Sequence, residues 1–314
     1  MPLSNSQRKL KMKFGLSANF PWHGPPIVDL ARHIEACGFE SMWTGEHLII
    51  PVDIADPQRY GVPLPDNYRH MPALFLSMTA AAVATKTLKF GMDVCLISQR
   101  NPLILAKEVA TLDRISGGRL VFGVGHGWIP EESEIMGVPF KKRVKRATET
   151  VRALKALWTE EKASFAGEFI NFPPVYCYPK PLQKPHPPLL LGSGNDKSNN
   201  TPILKRVAAI ADGWLPANLT PQQVKAQLKE LKEFCEAEGR DFSKMDITLL
   251  MPAVYMNIGE RPPWALAGSL GEASELIPQY EENGVTRLVV GLDDMTDQRA
   301  FQRIEEAAKG LRLS

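Results

Sequence analysis

Short apolar runs alternate with amphipathic segments along most of the chain, and this alternation predicts strands followed by helices. The clearest example begins at residues 88–97, an apolar run rich in branched side chains, as is typical of a strand buried on both faces. Asn101 is then placed to cap a helix that has Pro102 at its first position. Residues 119–125 form the next apolar run, so the unit predicts a right-handed strand–helix–strand crossover.

The same alternation extends over the rest of the chain. Further strands are predicted at residues 12–18, 39–43, 189–191, 213–215, 247–256 and 286–291. About eight strands alternating with helices predict an α/β fold, a single (β/α)8 TIM barrel with insertion segments, over residues 12–311. An open doubly wound sheet is the alternative. We prefer the barrel because the number of strands fits and no break divides the chain into halves.

Two long segments, residues 48–71 and 160–187, are rich in proline and aromatic side chains and have no clear periodicity. Connections of this length inside a compact domain are usually insertions or lids, so we expect them to cover a functional site. Residues 1–11 lie before the first predicted strand and are expected to form a flexible N-terminal arm.

Composition narrows the classes of function. The 314 residues include 37 basic and 35 acidic side chains, and this near balance predicts no nucleic-acid partner. No apolar run reaches membrane length, and the basic N-terminus lacks the apolar core of a signal peptide. The four cysteines have no metal or redox spacing and are expected to be free thiols in a reducing compartment. We therefore predict a cytoplasmic protein without a membrane partner.

In a barrel of this type, chemistry is found where strands end and the following loops begin. The second predicted strand ends in Glu46-His47, where a carboxylate beside an imidazole can position a base or a proton donor. A histidine satisfied at a loop start explains the pair equally well. Asp93 lies inside the apolar third strand, where a charge is costly unless it is paired. It could contact a ligand, neighbouring backbone or a barrel arginine.

Two strand ends are rich in glycine. Residues 125–128 read Gly-His-Gly-Trp, which lets a flat ligand approach the backbone or simply makes a tight turn. Residues 192–194 read Gly-Ser-Gly, either a plain turn or an anion-binding nest of the kind that late barrel loops use for phosphate. Glu131, Glu132 and Glu134 are interpreted as a solvated helix start. No zinc-hydrolase, serine-hydrolase, P-loop or Cys-x-x-Cys pattern occurs, and no metal is expected.

Several ordered sequence blocks resemble the luciferase-like monooxygenase superfamily, barrels that use flavin or deazaflavin. The blocks are ARHIEACGFESMWTGEH, LKFGMDVCLISQRNPLILAKEVATLDRISGGRLVFGVGHGW, EESEIMGVPFKKR, YPKPLQKPHPPLLLGSGN and ADGWLP. The resemblance covers the chain from residue 12 to about residue 214, and these blocks are its most recognisable parts. The resemblance implies a barrel that binds reduced FMN, or a reduced deazaflavin of the coenzyme F-420 type, at the carboxyl ends of its strands.

The resemblance also implies roles for individual residues. His47 matches the family's catalytic histidine, with Glu46 beside it. A non-prolyl cis peptide is expected at Asp93–Val94, against the flavin ring. The positions that match the cofactor lining and its phosphate loop are Gly125, His126, Gly192, Ser193 and Gly194. Luciferase has an arginine at the position of His126. Trp128 departs from some deazaflavin-dependent sugar dehydrogenases, which carry an acid there.

The activity that the resemblance favours is a monooxygenase. It would use reduced FMN from a flavin reductase, together with oxygen, to oxidise a small organic substrate. Hydride transfer with a deazaflavin is the alternative within the same class. A non-catalytic flavin-binding protein is the alternative of another class, and the Glu46-His47 pair argues against it. The resemblance further implies a homodimer, and we expect the two insertions to select the substrate.

Overall fold

The computed structural model describes residues 12–56, 64, 66–193, 200–251, 270–292 and 295–313. Within these residues the parallel strands are β1 (Lys13–Ser17), β2 (Ser41–Thr44), β3 (Lys89–Met92), β4 (Cys95–Leu96), β5 (Leu120–Gly125), β8 (Leu189–Ser193), β9 (Gly213–Pro216), β10 (Asp246–Met251) and β11 (Arg287–Gly291); an antiparallel pair, β6 (Ala163–Ala166) and β7 (Asn171–Val175), stands apart. The helices are α1 (Ile27–Ala36), α2 (Leu74–Ala84), α3 (Pro102–Ile115), α4 (Pro130–Ile135), α5 (Arg143–Thr159), α6 (Thr201–Ile210), α7 (Pro221–Ala237), α8 (Leu270–Glu282) and α9 (Arg299–Gly310).

The parallel strands close into a barrel. Around the ring the order is β1-β2-β3-β5-β8-β9-β10-β11, with β4 continuing the position of β3, which makes eight strand positions among the described residues. The ring closes where Lys13 of β1 pairs with Arg287 of β11. The predicted TIM barrel is confirmed, and the open sheet is excluded because both of its edges are paired.

The third strand differs from the prediction. Residues 88–97 do not form one strand, because the peptide between Asp93 and Val94 is cis and separates β3 from β4. The chain then enters a short 3-10 helix, Ile97–Gln99, before Asn101 caps α3 by accepting hydrogen bonds from two backbone N–H groups. The non-prolyl cis peptide therefore has the position that the resemblance implied.

The two predicted insertions contain regular structure. The segment over residues 160–187 holds the β6–β7 hairpin, which was not predicted because β7 contains Pro173 and Pro174. Proline is tolerated there because the hairpin is separate from the barrel and β7 is an edge strand. The segment over residues 48–71 contains a 3-10 helix, Asp66–His70. The predicted flexible arm, residues 1–11, lies outside the described residues.

The amino-terminal end of the barrel is held by a buried cation. The Arg287 side chain is 3% exposed and donates hydrogen bonds to Glu40 at 2.9 Å and to Asp246 at 3.0 Å. Burial alone would raise the pKa of Glu40, but Arg287 and Lys89 outweigh it and hold that pKa at about 2. This network lies at the face that serves stability in TIM barrels, opposite the face where chemistry occurs.

Two expectations from composition can be compared with the structure. The four cysteines, Cys37, Cys95, Cys177 and Cys235, are all free thiols, as predicted. None of the helices in the described ranges has the length and apolar character needed to cross a membrane.

Candidate active site

A cavity of about 250 Å³ opens at the carboxyl ends of the barrel strands. Four of the predicted site residues line it, namely Glu46, His47, Asp93 and Val94. Most of the remaining wall is apolar and comes from Ala18, Met71, Leu96, Trp128, Ala217, Leu250, Val289 and Leu292. The structure thus brings the residues after β2 and β3 to one pocket, at the end of the barrel where TIM-barrel enzymes carry out chemistry.

The imidazole of His47 is paired with Glu132. His47 Nδ1 lies 2.9 Å from Glu132 Oε2, and the two side chains are 5% and 0% exposed. The other oxygen of this carboxylate accepts a hydrogen bond from the backbone N–H of Leu48 at 3.1 Å. Because a carboxylate can only accept, Nδ1 carries the proton and Nε2 is the ring nitrogen left for a ligand. This is an oriented acid–base pair at the edge of the cavity.

The interpretation of Glu132 as part of a solvated helix start is wrong. The side chain points inward from the first turn of α4, whereas Glu134 is exposed and accepts a hydrogen bond from the backbone of Phe140. Glu131 accepts one from the backbone N–H of Ala55. Three nearby glutamates therefore have three different environments, and their local spacing does not distinguish them.

Glu46 has a different partner from the one predicted. Its carboxylate accepts hydrogen bonds from Arg100 Nη2 at 2.5 Å and Nε at 3.1 Å, and from the backbone N–H of Leu96 at 2.6 Å. The expectation that Glu46 positions His47 is wrong, because Glu132 is the carboxylate on the imidazole. Glu46 instead ties the end of β2 to β4 and to the start of α3.

Aromatic side chains surround His47. The Tyr68 ring centre lies 5.2 Å from the imidazole centre, and the Trp128 ring centre lies 5.8 Å away in an edge-on arrangement. Tyr68 belongs to the 3-10 helix of the first insertion, which is fastened to the loop after β1 where Trp22 Nε1 donates to His70 Nδ1 at 3.3 Å. Sequence reasoning identified Trp128 as a candidate but not Tyr68, which lies in a stretch without periodicity.

Asp93 lies at the floor of the cavity beside Ser17. The Ser17 hydroxyl donates to Asp93 Oδ2 at 2.5 Å, while Oδ1 has no hydrogen-bond partner among the described residues. Burial raises the pKa of Asp93 to about 7, against the opposing effect of the Ser17 hydroxyl and the residue's own backbone N–H. No arginine or lysine in the described ranges pairs with this carboxyl group, so the barrel-arginine explanation is not supported.

The glycines at residues 125 and 192 make room for a side chain of the protein itself. A Cβ atom on Gly125 would lie 2.3 Å from Cγ2 of Val94, and one on Gly192 would lie 2.9 Å from its Cγ1. Such distances exclude any larger residue without movement of Val94. At Gly125, where the sequence predicts the approach of a flat ligand to the backbone, the side chain of Val94 after the cis peptide occupies the space beside the glycine.

A second, smaller cavity of about 20 Å³ is lined mainly by residues of β5, β8, α5 and α6. Gly125, His126 and Gly192 line it together with Arg206. Burial, Arg143 and Arg206 lower the pKa of His126 to about 4, so this imidazole is neutral at pH 7. Arg206 has no hydrogen-bond or ion-pair partner within the described ranges. Sequence reasoning missed this half-buried cation because it lies in the second turn of α6, away from the glycine-rich loop.

The phosphate-loop residues predicted at the end of β8 are only partly described. Ser193 is buried, and its hydroxyl accepts a hydrogen bond from Trp214 Nε1 at 3.2 Å. Gly194 lies outside the described residues. Ser193 is at the carboxyl end of β8, as expected, but its hydroxyl is already in contact with the barrel interior.

The residues present fit a flavin-like cofactor. The cavity offers apolar walls for a ring and a polar floor with a carboxyl oxygen, Asp93 Oδ1, that has no partner among the described residues. Arg206 adds a positive charge in the second cavity, and a phosphate-bearing tail requires such a charge. Within the described ranges, no group of three or more His, Cys, Asp or Glu side chains could hold a metal ion.

Comparison with known proteins identifies relatives among flavin- and F420-dependent oxidoreductases. The sequence profile of the family described as luciferase-like monooxygenase matches residues 16–289. An uncharacterised protein of Mycobacterium tuberculosis is 33% identical over 306 residues, covering 96% of this chain and 99% of the relative. An FMNH2-dependent dimethylsulfone monooxygenase of Pseudomonas putida is 31% identical, over 51% of this chain and 43% of the relative. An F420-dependent glucose-6-phosphate dehydrogenase of Kineococcus radiotolerans is 27% identical, over 81% of this chain and 71% of the relative.

Solved structures show the same fold. An F420-dependent secondary alcohol dehydrogenase, in complex with an F420-acetone adduct, superposes with a TM-score of 0.73 at 18% identity, covering 96% of this chain and 100% of the other. The oxygenating constituent of 3,6-diketocamphane monooxygenase from Pseudomonas putida, in complex with FMN, gives 0.72 at 18% identity, covering 96% and 98%. At this level of identity the two structures are evidence for the barrel.

Proposed function

The chain belongs to the luciferase-like monooxygenase family of flavin- or deazaflavin-dependent oxidoreductases, and we propose that it is a monooxygenase that uses reduced FMN. Its substrate would be a small, uncharged organic molecule. The observation that carries this proposal is the buried His47–Glu132 pair at the edge of an apolar cavity. An oriented imidazole in a dry pocket can hold or move a proton during oxidation of a substrate.

The roles of the chain's own residues follow from their positions. Glu132 keeps the proton on His47 Nδ1. Nε2 can therefore accept a proton as a general base and, once protonated, donate it as a general acid. Tyr68 and Trp128 pack around the imidazole and exclude water from it. Reduced FMN, when bound, supplies the electrons for activation of oxygen. Such acid–base assistance typically contributes about 10²- to 10⁴-fold to the rate.

The cofactor-binding role of the predicted residues is part of the same proposal. Asp93 and Val94 would support the ring from below, since both line the central cavity. Arg206 would bind the phosphate together with the loop after β8, because it is a half-buried cation that lines the second cavity together with Gly192 at the end of β8. His126, although it matches a basic position of luciferase, is neutral near pH 7 and would accept or donate a hydrogen bond rather than supply charge.

The lining of the cavity supports an uncharged substrate. Among the described residues that form its wall there is no lysine or arginine, and most of the surface is aliphatic or aromatic. A phosphorylated or carboxylated substrate needs a cation or an array of donors to replace its hydration. The proposed substrate therefore differs from that of the dehydrogenase relative, whose name specifies a sugar phosphate.

Two partners are proposed with this activity. A flavin reductase would supply the reduced FMN. A second copy of the chain would cover an apolar surface on α2 and α3, where Leu76, Val83 and Ile104 are 75%, 73% and 60% exposed. Leu76 and Val83 are seven positions apart on α2 and lie on one face of that helix, and an exposed apolar face marks an interaction site. Charged substitutions at Leu76 and Val83 are expected to convert a dimer to a monomer in light scattering. We also propose a cytoplasmic location, in keeping with the free thiols.

The experiment that tests the activity compares the two cofactors. Reduced FMN and reduced coenzyme F420 are titrated into the purified protein without oxygen, and oxygen uptake is then followed with a flavin reductase and candidate substrates. The proposal expects FMN binding and substrate-dependent oxygen uptake that His47→Ala reduces by about 10²- to 10⁴-fold. Tight binding of F420 with negligible binding of FMN would overturn the proposal that the protein is a monooxygenase.

The second candidate is a deazaflavin-dependent oxidoreductase that transfers a hydride. It is favoured by the F420-dependent relative, which aligns with 81% of this chain, whereas the FMNH2-dependent relative aligns with 51%. A parallel incubation with oxidised F420 in the absence of oxygen distinguishes the two candidates, because the hydride-transfer enzyme would oxidise its substrate as the deazaflavin accepts the hydride and becomes reduced.

A further inference from the structure

Asp93 is a polar group on the cavity floor that the His47–Glu132 pair does not explain. Its carboxyl group is held by Ser17 through a 2.5 Å hydrogen bond to Oδ2, and Oδ1 is buried without a partner among the described residues. A buried carboxylate oxygen without a donor is costly, and such groups in native proteins require an explanation. Either a ligand completes the site or the group carries its own proton.

The surroundings of Asp93 favour the neutral acid. Ser17 on β1 contributes an uncharged hydroxyl. Gly45 after β2 has no side chain, and a Cβ atom built there would lie 3.0 Å from the backbone oxygen of Asp93. The titratable side chains that line the same cavity are Glu46, His47 and Tyr68. Glu46 is neutralised by Arg100, and His47 is occupied by Glu132. Among the described residues that line this cavity, no cation is therefore left to stabilise a negative charge on Asp93.

We infer that Asp93 is a proton-bearing contact for the cofactor: its neutral carboxyl group donates a hydrogen bond to a carbonyl oxygen or ring nitrogen of the bound flavin or deazaflavin. This inference rests on the proposed function, since it requires a ring in the cavity. Both kinds of ring carry a pyrimidine edge with acceptor atoms, so the contact does not depend on which cofactor binds. Asp93 acts in binding and orientation, and it is distinct from the acid–base pair at His47.

The inference makes binding depend on one proton. Burial raises the pKa of Asp93 to about 7, so the donor form is lost as the pH rises above neutrality. The affinity for the cofactor should then fall by up to about tenfold per pH unit. If Asp93 instead accepted a hydrogen bond as a carboxylate, the affinity would rise over the same range. The direction of the change therefore distinguishes the two forms.

The test measures the dissociation constants of reduced FMN and of reduced F420 between pH 5.5 and 8.5, without oxygen, for four proteins. Wild type should lose affinity above about pH 7. Asp93→Asn, whose amide donates at every pH, should remove this loss. Ser17→Ala removes a hydrogen bond that favours the carboxylate, so the loss should move to higher pH. Asp29→Asn, at an exposed position on α1, is the matched control and should follow wild type.

The possible failures are distinguishable. If a cofactor binds and Asp93→Asn retains the wild-type pH profile, or if wild-type affinity does not fall with pH relative to that of Asp93→Asn, the contact at Asp93 is overturned while the proposed function stands. If neither cofactor binds wild type at any pH, the proposed function fails and this contact fails with it. The titration of the cofactor itself is common to all four proteins and cancels when their affinities are compared.

Discussion

The Nδ1 atom of His47 and the Oε2 atom of Glu132 are 2.9 Å apart, although the two residues are 85 positions apart in the chain. One follows β2 and the other lies in α4, after β5. Their meeting is a consequence of barrel closure, which places the loops after these strands at the same end. The pair orients the imidazole towards the cavity and keeps both groups out of water.

Replacement of Glu132 by Gln should lower turnover by about 10- to 100-fold, with a much smaller change in KM. The amide retains the shape of the side chain but no longer holds the proton on His47 Nδ1 as a charged acceptor does. Glu131→Gln is the matched control, since Glu131 contacts only the backbone of Ala55 in the described structure. A role in folding alone would instead lower the melting temperature and leave kcat per folded molecule unchanged.

Replacement of Arg206 by Met should weaken FMN binding by about 10- to 100-fold, because a charge-assisted contact to the phosphate is lost. Riboflavin has the same ring without the phosphate, so its affinity should be unaffected. Lys205→Met is the control, because Lys205 is exposed and its ammonium group lies over Phe234, 5.3 Å from the ring centre. Equal losses for FMN and riboflavin would contradict the assignment of Arg206 to the phosphate.

Replacement of Gly125 by Ala should destabilise the protein by about 1–3 kcal/mol, the usual cost of overpacking. The new Cβ would lie 2.3 Å from Val94 Cγ2, so the valine must move. Val94→Ala combined with Gly125→Ala removes the clashing methyl groups and should recover part of the loss. Thermal unfolding of the two single variants and the double variant measures this coupling. Additive effects would show that the two positions do not share the space.

Replacement of Asp93 by Asn should raise the melting temperature at pH 8 but not at pH 4. The unfolded carboxyl group titrates near 3.9, whereas burial raises its pKa in the folded protein to about 7. Between these values the folded state holds a proton that the unfolded state has lost, so wild-type stability falls as the pH rises through this window and stays lower above it. The amide of Asp93→Asn does not titrate, so this residue adds no pH dependence to the stability of the variant. An equal difference at both pH values would contradict the raised pKa.

The fold was predictable because buried parallel strands and amphipathic helices leave strong local patterns. The capping of α3 by Asn101 and the placement of β5 before the glycine-rich loop both follow from residues that are neighbours in sequence. The β6–β7 hairpin was not predictable in this way, since two prolines within β7 argue locally against a strand. Tolerance of proline depends on the edge position, which only the tertiary structure shows.

The site was predictable in its location but not in its pairings. His47 and Asp93 stand out because polar side chains at the ends of apolar strands need a reason. Their partners, Glu132 and Ser17, lie on other elements, and their own sequence neighbourhoods are unremarkable in pattern. Glu46, the nearest carboxylate to His47 in sequence, is bound by Arg100 instead. Adjacency along the chain is thus a weak guide to which charges meet.

The wall that Tyr68 forms beside His47 has a consequence for how this enzyme could change over evolution. Tyr68 comes from a 3-10 helix outside the barrel strands, which Trp22 fastens at its far end through His70. Strand residues are constrained by register with two neighbours, whereas this stretch is free of that constraint. Insertions or replacements there can reshape substrate selectivity while leaving the proton-handling pair and the cofactor floor intact. A library of variants with substitutions confined to residues 48–71 would therefore change substrate selectivity with little loss of folding stability.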